Sequence, residues 1–314
     1  MNVGLIGCGA WGQKRASNLA GCKLIACADP NPDAALRLSV PNPTAIISDY
    51  RNLLDAVDLV IVSVPIKYLS EITIAALYAG KHVLVEKPAA RNVAEIDAMM
   101  EAEKASGKHV RVGFNLRYHR AFRKASEIAP EISPLYFVRA RYGHGGREGY
   151  ERDWRMNTRG GETLDQGVHL IDLASWYLGE FTKVLGVTGS WYWGAEDDNC
   201  FLTLQTADNK VASLQASCTE WRNLFTFEVT GERGKFEISG LGGSYGTEKI
   251  TLYKKRGEGE PPDITTWEYP MADDSLEQEM SAFLTDIQLN RTPRSGLREA
   301  RAALGVVEQV CGKS

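Results

Sequence analysis

The sequence predicts an α/β protein with a doubly wound parallel sheet in its N-terminal region. An α+β domain with a large, mostly antiparallel open sheet is predicted to follow. Three observations carry that prediction. Short apolar runs alternate with amphipathic stretches over the first hundred or so residues, the order that βαβ units require. One of those runs, Leu59 to Val64, is nearly all β-branched and apolar on both faces, as a strand buried between two helical layers must be. After about Arg117 the pattern changes to strand-like runs separated by turns rich in Gly and Asn. A chain of 314 residues exceeds one typical hydrophobic core and suits two domains, which we delimit at 1–117 and 118–314.

The N-terminal domain reads, in order, as a strand at Val3 to Ile6, a helix at Trp11 to Ala20 and a strand at Lys23 to Ala28, which two prolines stop at Asp29-Pro30-Asn31-Pro32. The strand Leu59 to Val64 follows, then a helix at Ile72 to Ala79, a strand at His82 to Val85, a helix at Val93 to Ala105 and a strand at Val110 to Phe114. In the C-terminal domain a strong helix spans Leu164 to Leu178. Strands are expected at Val184 to Tyr192, Asn199 to Thr206, Val211 to Cys218, Thr226 to Thr230, Lys235 to Ile238 and Lys249 to Tyr253, arranged as an antiparallel meander. Two helical segments, Leu276 to Leu289 and Leu297 to Val310, close the chain.

Hydrophobic residues make up 44% and charged residues 24%, a globular balance. The net charge of −4 argues against a nucleic-acid surface, which needs clustered basic charge. No apolar run reaches the roughly 20 residues that span a bilayer. The start of the chain has no basic n-region, and the six cysteines form no CxxC pair and no metal-ligand spacing. We therefore expect reduced thiols, no metal, no membrane partner and a cytoplasmic location.

Three constellations carry chemistry. In Gly7-Cys8-Gly9-Ala10-Trp11-Gly12 the glycines permit a tight turn and let backbone N–H groups approach a pyrophosphate at a helix start. The loop follows a strand and opens a helix, and the next strand ends in Asp29, where a carboxylate would bind the adenosine ribose hydroxyls. That context makes a Rossmann dinucleotide site; Asp29 would repel a 2′-phosphate, so NAD is favoured over NADP. Next, in Glu86-Lys87-Pro88, Lys87 stands just past a buried strand, on the edge where open α/β sheets bind ligands, although a solvated lysine is the commoner reading. Pro65 and Glu86, also at strand ends, complete the expected cofactor contacts with Lys87. Finally, Asp165, His169 and Asp172 fall at i, i+4 and i+7 of one helix, opposite an inward side of Leu164, Val168, Ile171 and Leu178. A histidine flanked by carboxylates suits acid/base work, and a helix-stabilising polar face is the alternative.

Together these motifs, with Gly113-Phe114-Asn115-Leu116-Arg117-Tyr118 between the second and third, resemble the glucose–fructose oxidoreductase/inositol dehydrogenase/rhizopine-catabolism (Gfo/Idh/MocA) family of NAD(P)-dependent oxidoreductases. The resemblance covers residue 1 to at least 180. It implies that Lys87 lies beside the nicotinamide and the reacting hydroxyl, and that Asp165 and His169 bind substrate hydroxyls and shuttle the proton. It also implies that Asn115, Arg117 and Tyr118 belong to a substrate-contacting segment joining the domains, and that Pro88 matches a proline often cis in relatives. Arg159-Gly160-Gly161 departs from the family's run of three glycines. The implied reaction is hydride transfer between NAD(P) and a secondary hydroxyl of a sugar, nucleotide-sugar or polyol. An NAD-assisted lyase or glycosidase with transient oxidation is the alternative, with a non-catalytic NAD-binding sensor behind it.

The stretch from Arg141 to Arg155 is dense in arginine and aromatics and reads as a loop. Arg147 and Trp154 there are candidate substrate contacts, since arginine forks suit an anionic sugar; a surface loop or subunit contact is the competing reading. The runs Ser190-Trp191-Tyr192-Trp193 and Phe225-Thr226-Phe227 carry more aromatic surface than a solvated face should, so we expect a homodimer or homotetramer through the second domain's sheet.

Overall fold

The computed structural model describes residues 1–39, 44–146, 149, 158–194 and 196–312. They form two compact units, Met1–Asn115 with Leu276–Arg301, and Leu116–Ser275 with Ala302–Ser314.

In the first unit the strands β1 (Asn2–Ile6), β2 (Lys23–Ala28), β3 (Ala45–Ile47), β4 (Leu59–Val62), β5 (His82–Val85) and β6 (Val110–Val112) alternate with α1 (Ala10–Ala16), α2 (Pro32–Ser39), α3 (Arg51–Leu54), α4 (Ile66–Tyr78) and α5 (Val93–Ser106). All the strands pair in parallel, in the order β3-β2-β1-β4-β5-β6. The order reverses between β1 and β4, and open α/β sheets bind ligands outside the carboxyl ends of the strands at such a reversal. β4 is buried at every position, as its two apolar faces require.

Element ends differ from expectation for local reasons. α1 stops at Ala16, four residues early: the Asn18 N–H turns back to the Arg15 carbonyl three residues before it at 3.0 Å, and positive φ at Ala20 and Gly21 then leads the chain into β2. α4 begins at Ile66 rather than Ile72, directly behind Pro65, and buries Ile66, Leu69, Ile72, Ala76 and Leu77. α5 is capped by Asn92, whose side chain accepts the Glu95 N–H at 3.0 Å, and ends on Gly107 at φ +65°. The helix α8 (Ser275–Gln288) belongs to this unit from Leu276 onward. Its Met280 and Phe283 join Val3, Leu5, Cys27, Leu59 and Ile61 in one core cluster. Ser295 then covers the edge of β6: its carbonyl accepts the Val112 N–H at 2.8 Å and its hydroxyl donates to the Val112 carbonyl at 3.1 Å.

The second unit starts with α6 (Arg120–Ile132) and β7 (Leu135–Gly145). A π-helical turn (Thr163–Gly167) runs into α7 (Val168–Leu178). Then come β8 (Phe181–Gly189), β9 (Asn199–Thr206), β10 (Val211–Ser217), β11 (Thr219–Gly231), β12 (Gly234–Ser239), β13 (Glu248–Lys254) and β14 (Asp263–Tyr269). The sheet order is β14-β13-β12-β11-β7-β10-β9-β8. It is not a plain meander: β7 sits in mid-sheet, antiparallel to β11 but parallel to β10. A last helix, α9 (Leu297–Cys311), passes from the first unit into the second at Arg301/Ala302.

One face of this sheet is covered. Val138 and Ala140 of β7 and Phe225, Phe227 and Val229 of β11 are buried on that side. The ring of Phe122 from α6 packs 5.9 Å from Phe225 and 5.2 Å from Phe227. Phe225 and Phe227 are therefore core residues, contrary to their expected place on an exposed face. Ser190 to Trp193 form no strand, although Trp191 and Tyr192 are exposed. The opposite face carries Arg139, Arg141, Thr226 and Glu228 with exposed Leu185, Val187 and Phe201, around a depression of about 510 Å³.

Candidate active site

The glycine loop is shaped by contacts that only glycine allows. Gly7 has φ +92°, and a Cβ there would lie 2.1 Å from the Ser63 carbonyl oxygen; one on Gly12 would lie 2.0 Å from the Gly7 oxygen. Gly7 also donates its N–H to the Ala28 carbonyl at 2.9 Å, which locks the loop across the ends of β1 and β2. At Gly9 an added Cβ would meet nothing within 4 Å, so that side of the loop opens onto a cleft of about 480 Å³ lined by Gly7, Gly9, Asp29, Tyr50, Pro65 and Tyr68. Ala10 and Trp11 open α1, and the Lys14 ammonium lies 4.5 Å over the exposed Trp11 ring. The Asp29 carboxylate is oriented by two backbone donors, Cys8 N–H at 2.7 Å and Asn31 N–H at 2.8 Å. A closely packed turn, an open glycine and a fixed carboxylate at the far strand end fit a dinucleotide.

Past β5, Glu86 is buried and Lys87 half-buried. The Glu86 N–H donates to Val62 and the Ala89 N–H donates back to Glu86, at 2.9 and 3.0 Å, and the Lys87–Pro88 peptide is cis. Asn115, buried, closes this unit's main segment beyond β6.

In the second unit the helix with the Asp-x-x-x-His motif is shaped at its N-terminal end. Gly160 and Gly161 take φ +89° and +28°, and a Cβ on Gly161 would lie 2.2 Å from the Asp197 carbonyl. Asp197 then caps the helix: its carbonyl accepts the Glu162 N–H at 2.9 Å, and its carboxylate accepts both the Thr163 N–H at 3.0 Å and the Thr163 hydroxyl. Burial raises the Asp197 carboxyl above its usual range even against these bonds. The expected uninterrupted helix is thus a widened π-turn followed by α7, a distortion frequent at functional sites.

The polar stripe is buried rather than solvated: Asp165, His169 and Asp172 are 9%, 5% and 2% exposed, and Leu164, Val168 and Ile171 behind them are buried too. The stripe also divides. Asp172 binds the Arg117 fork, with Nε to Oδ2 at 2.7 Å and Nη2 to Oδ1 at 2.6 Å, and the guanidinium lies 5.2 Å over the Trp176 ring. Asp165 and His169 instead border Tyr142 of β7. The His169 and Tyr142 rings are 6.3 Å apart, while burial, Tyr245, Asp165 and Glu162 push the Tyr142 phenol well above its usual value. Glu162, fully buried, lies 3.6 Å from His144. Burial works to lower the His144 pKa, but the Glu162 carboxylate and the Gly145 carbonyl outweigh it and the net direction is up.

Of the expected site residues, the glycine loop, Asp29, Pro65, Glu86, Lys87 and Asn115 belong to the first unit. Arg117, half-buried Tyr118, Asp165 and His169 belong to the second. Arg147 and Trp154, with Tyr150, Arg152 and Arg155, lie outside the described residues. Residues 141–145 are not loop but the end of β7, and Arg141 pairs with Glu220 at 2.8 Å on the open face. Sequence reasoning missed Tyr142, His144 and Glu162. The alternation Val138, Ala140, Tyr142, His144 along one strand face would have found the first two. Arg15 was missed as well, a charged residue on the inward side of α1 beside Gly12.

Comparison with known proteins agrees with this arrangement. Residues 1–114 match the model described as oxidoreductase family, NAD-binding Rossmann fold, and residues 123–237 match the GFO/IDH/MocA C-terminal domain. Levoglucosan dehydrogenase from Pseudarthrobacter phenanthrenivorans is 29% identical over 288 residues, covering 74% of this chain and 72% of that one. Myo-inositol 2-dehydrogenase from Thermotoga maritima is 29% identical over 218 residues, covering 60% and 58%. The solved structure of a levoglucosan dehydrogenase in complex with NADH and levoglucosan superposes with a TM-score of 0.88 over 99% of this chain and 96% of that chain, at 22% identity, and so shares the fold. With both domain models matched in order over most of its length, the chain belongs to the Gfo/Idh/MocA family of oxidoreductases.

Proposed function

We propose that this protein transfers a hydride between NAD and a secondary hydroxyl of a sugar, nucleotide-sugar or polyol. The observation that carries the reading is the buried pair of Asp165 and His169 beside Tyr142, Asp165 on a widened helical turn that Asp197 caps and His169 in the first turn of α7 that follows. A histidine held among acids is suited to take a hydroxyl proton near neutral pH. Bound nicotinamide dinucleotide supplies the hydride acceptor. Asp29 and the glycine loop hold the dinucleotide, and Lys87 donates a hydrogen bond to the oxygen on which negative charge develops. In the second unit His169 takes a substrate hydroxyl proton, and Asp165 orients a neighbouring hydroxyl. Asn115 and Tyr118 contact the substrate. The levoglucosan and inositol dehydrogenases among the relatives support a sugar or polyol as substrate.

NAD is preferred to NADP because the oriented Asp29 carboxylate is followed by Pro30 and Asn31, which offer no cation to a 2′-phosphate. The exposed Leu185, Val187 and Phe201 on the open sheet face support a homodimer or homotetramer through that face, and six free thiols support a reducing, cytoplasmic setting.

The test is a screen of sugars, polyols and nucleotide-sugars for NADH formation, repeated with His169→Ala. Turnover on one of these classes that falls by about 10² or more in the variant supports the reading. Failure of every such compound to reduce NAD, or an H169A rate within about threefold of the parent, would refute it.

A further inference from the structure

A fully buried arginine in the seven-residue helix behind the glycine loop needs a reason. Arg15 is 2% exposed and reaches two carboxylates, Glu86 through Nε at 2.6 Å and Glu279 through Nη1 at 2.5 Å. The charges continue beyond it. Arg111 of β6 binds Asp286 of α8 and lies over the Phe283 ring, and Asp286 also takes Arg291 at 2.5 Å. Glu86 and Glu279 hold the Arg15 guanidinium firmly charged although burial works against it. Room is reserved for the pair as well: a Cβ on Gly113 would lie 2.7 Å from Arg15 Nη2 and 3.0 Å from Glu86 Oε2.

Stability alone is a poor explanation for such a cluster. Desolvating ions is expensive, and well-packed apolar side chains of similar volume often serve stability as well or better. What the cluster adds is direction. A guanidinium fork fixes the angle as well as the distance of its partners, and Glu86 is the residue next to Lys87.

We propose that Arg15 is a positioning residue: clamped between Glu86 and Glu279, it fixes the Glu86-Lys87-Pro88 turn against the helix that receives the dinucleotide's phosphates, so that Lys87 is presented in one place. The inference rests on the role given to Lys87 above. It makes the two carboxylates unequal. Glu279 anchors the arginine to α8, whereas Glu86 transmits its position to the turn. Because a displacement of about 1 Å at a reacting group costs on the order of 10² in rate, a loosened turn is felt in kcat before it is felt in cofactor binding.

The experiment compares Glu86→Gln, Glu279→Gln and Arg15→Met in the full-length protein. Amide hydrogen exchange at Lys87, Ala89 and Ala90, NADH affinity by fluorescence titration, melting temperature and steady-state turnover are all measured. E86Q is expected to speed exchange in the turn by about tenfold or more and to lower kcat by at least about tenfold, a larger factor than any loss of NADH affinity. E279Q is expected to lower the melting temperature while leaving turn exchange and kcat within about threefold. R15M should behave as E86Q; if it does not fold, the two glutamine variants decide alone. Unchanged turn exchange in E86Q, or parallel losses in E86Q and E279Q that follow melting temperature, would overturn the proposal. Exchange is read without turnover, so a parent protein that reduces no NAD refutes the proposed reaction while the contrast between the two glutamine variants still decides the clamp.

Discussion

Replacing Asp172 by asparagine isolates a heavily buried charge pair of the second unit. Both Arg117 bonds to Asp172 are short, 2.6 and 2.7 Å, and the partners' side chains are 7% and 1% exposed, so water can do little to solvate a guanidinium that has lost its counter-charge. Removing one member of such a buried pair costs about 3–5 kcal/mol, most of it the penalty on the remaining ion. At about 2–4 °C per kcal/mol for a unit of this size, the transition that reports this unit should fall by about 6–20 °C. The double variant Arg117→Met/Asp172→Leu exchanges the ions for apolar volume beside Trp176 and should recover most of that loss. The assay is thermal unfolding by circular dichroism at neutral pH, paired with KM for the sugar in the double variant. If D172N melted within about 1 °C of the parent, or the double variant were no more stable than D172N, the pair would not be a buried structural anchor. A KM unchanged in the double variant would assign Arg117 to the scaffold rather than to the substrate.

Further outcomes follow from geometry already described. Gly7→Ala drives a Cβ to 2.1 Å from the Ser63 carbonyl at φ +92°, and should abolish NADH binding in fluorescence titration while the melting of the second unit is little changed. The pKa of His82 is lowered to about 4 by burial, with Lys108 and His109 acting the same way and Asp58 opposing them, and its Nδ1 accepts the His109 N–H at 3.2 Å. A histidine kept neutral in the fold binds protons more readily when unfolded. Its contribution is therefore complete above its usual value of 6.5 and is lost as pH falls from there through about 4; His82→Gln should flatten stability over that window in pH-dependent melting. Leu185→Asp with Val187→Asp places charges on the open sheet face and should shift sedimentation towards monomer, with the melting temperature held within a few degrees.

Most of the first unit is legible because its signals are local. Strands such as β4 and β5 are continuous apolar runs, and the glycine loop sits between a strand and a helix in immediate succession. Much of what escaped depends on partners far away in sequence. β7 alternates Val138 and Ala140 with Arg139 and Arg141, a period-two signal that is present but weakened by Ala140 and by the glycines that follow, and its central place in the sheet comes from β11 and β10, far away in sequence. β14 is exposed along most of its length and so lacks a buried face to announce it, while α6 has an apolar face at helical spacing (Ala121, Phe122, Ala125, Ile128, Ile132) but carries Pro130, which reads as a helix breaker. The Asp165 and His169 motif was readable residue by residue. The π-turn that carries Asp165 was not, because Asp197, more than thirty residues on, shapes it. Likewise only the fold reveals that Asp172 answers Arg117 from 55 positions away and that Arg15 answers Glu279 from 264.

That last separation bears on how the protein is made. A ribosome releases β1 to β6 long before α8, yet Met280 and Phe283 of α8 complete the cluster around Val3, Leu5 and Ile61, and Ser295 seals the β6 edge. Until α8 and Ser295 have been translated, the nascent nucleotide-binding sheet carries an uncovered apolar patch and an open strand edge, the two features that chaperones and aggregation both recognise. A premature stop before residue 276 would leave a product in that state permanently, so quality control rather than residual cofactor binding would decide its fate.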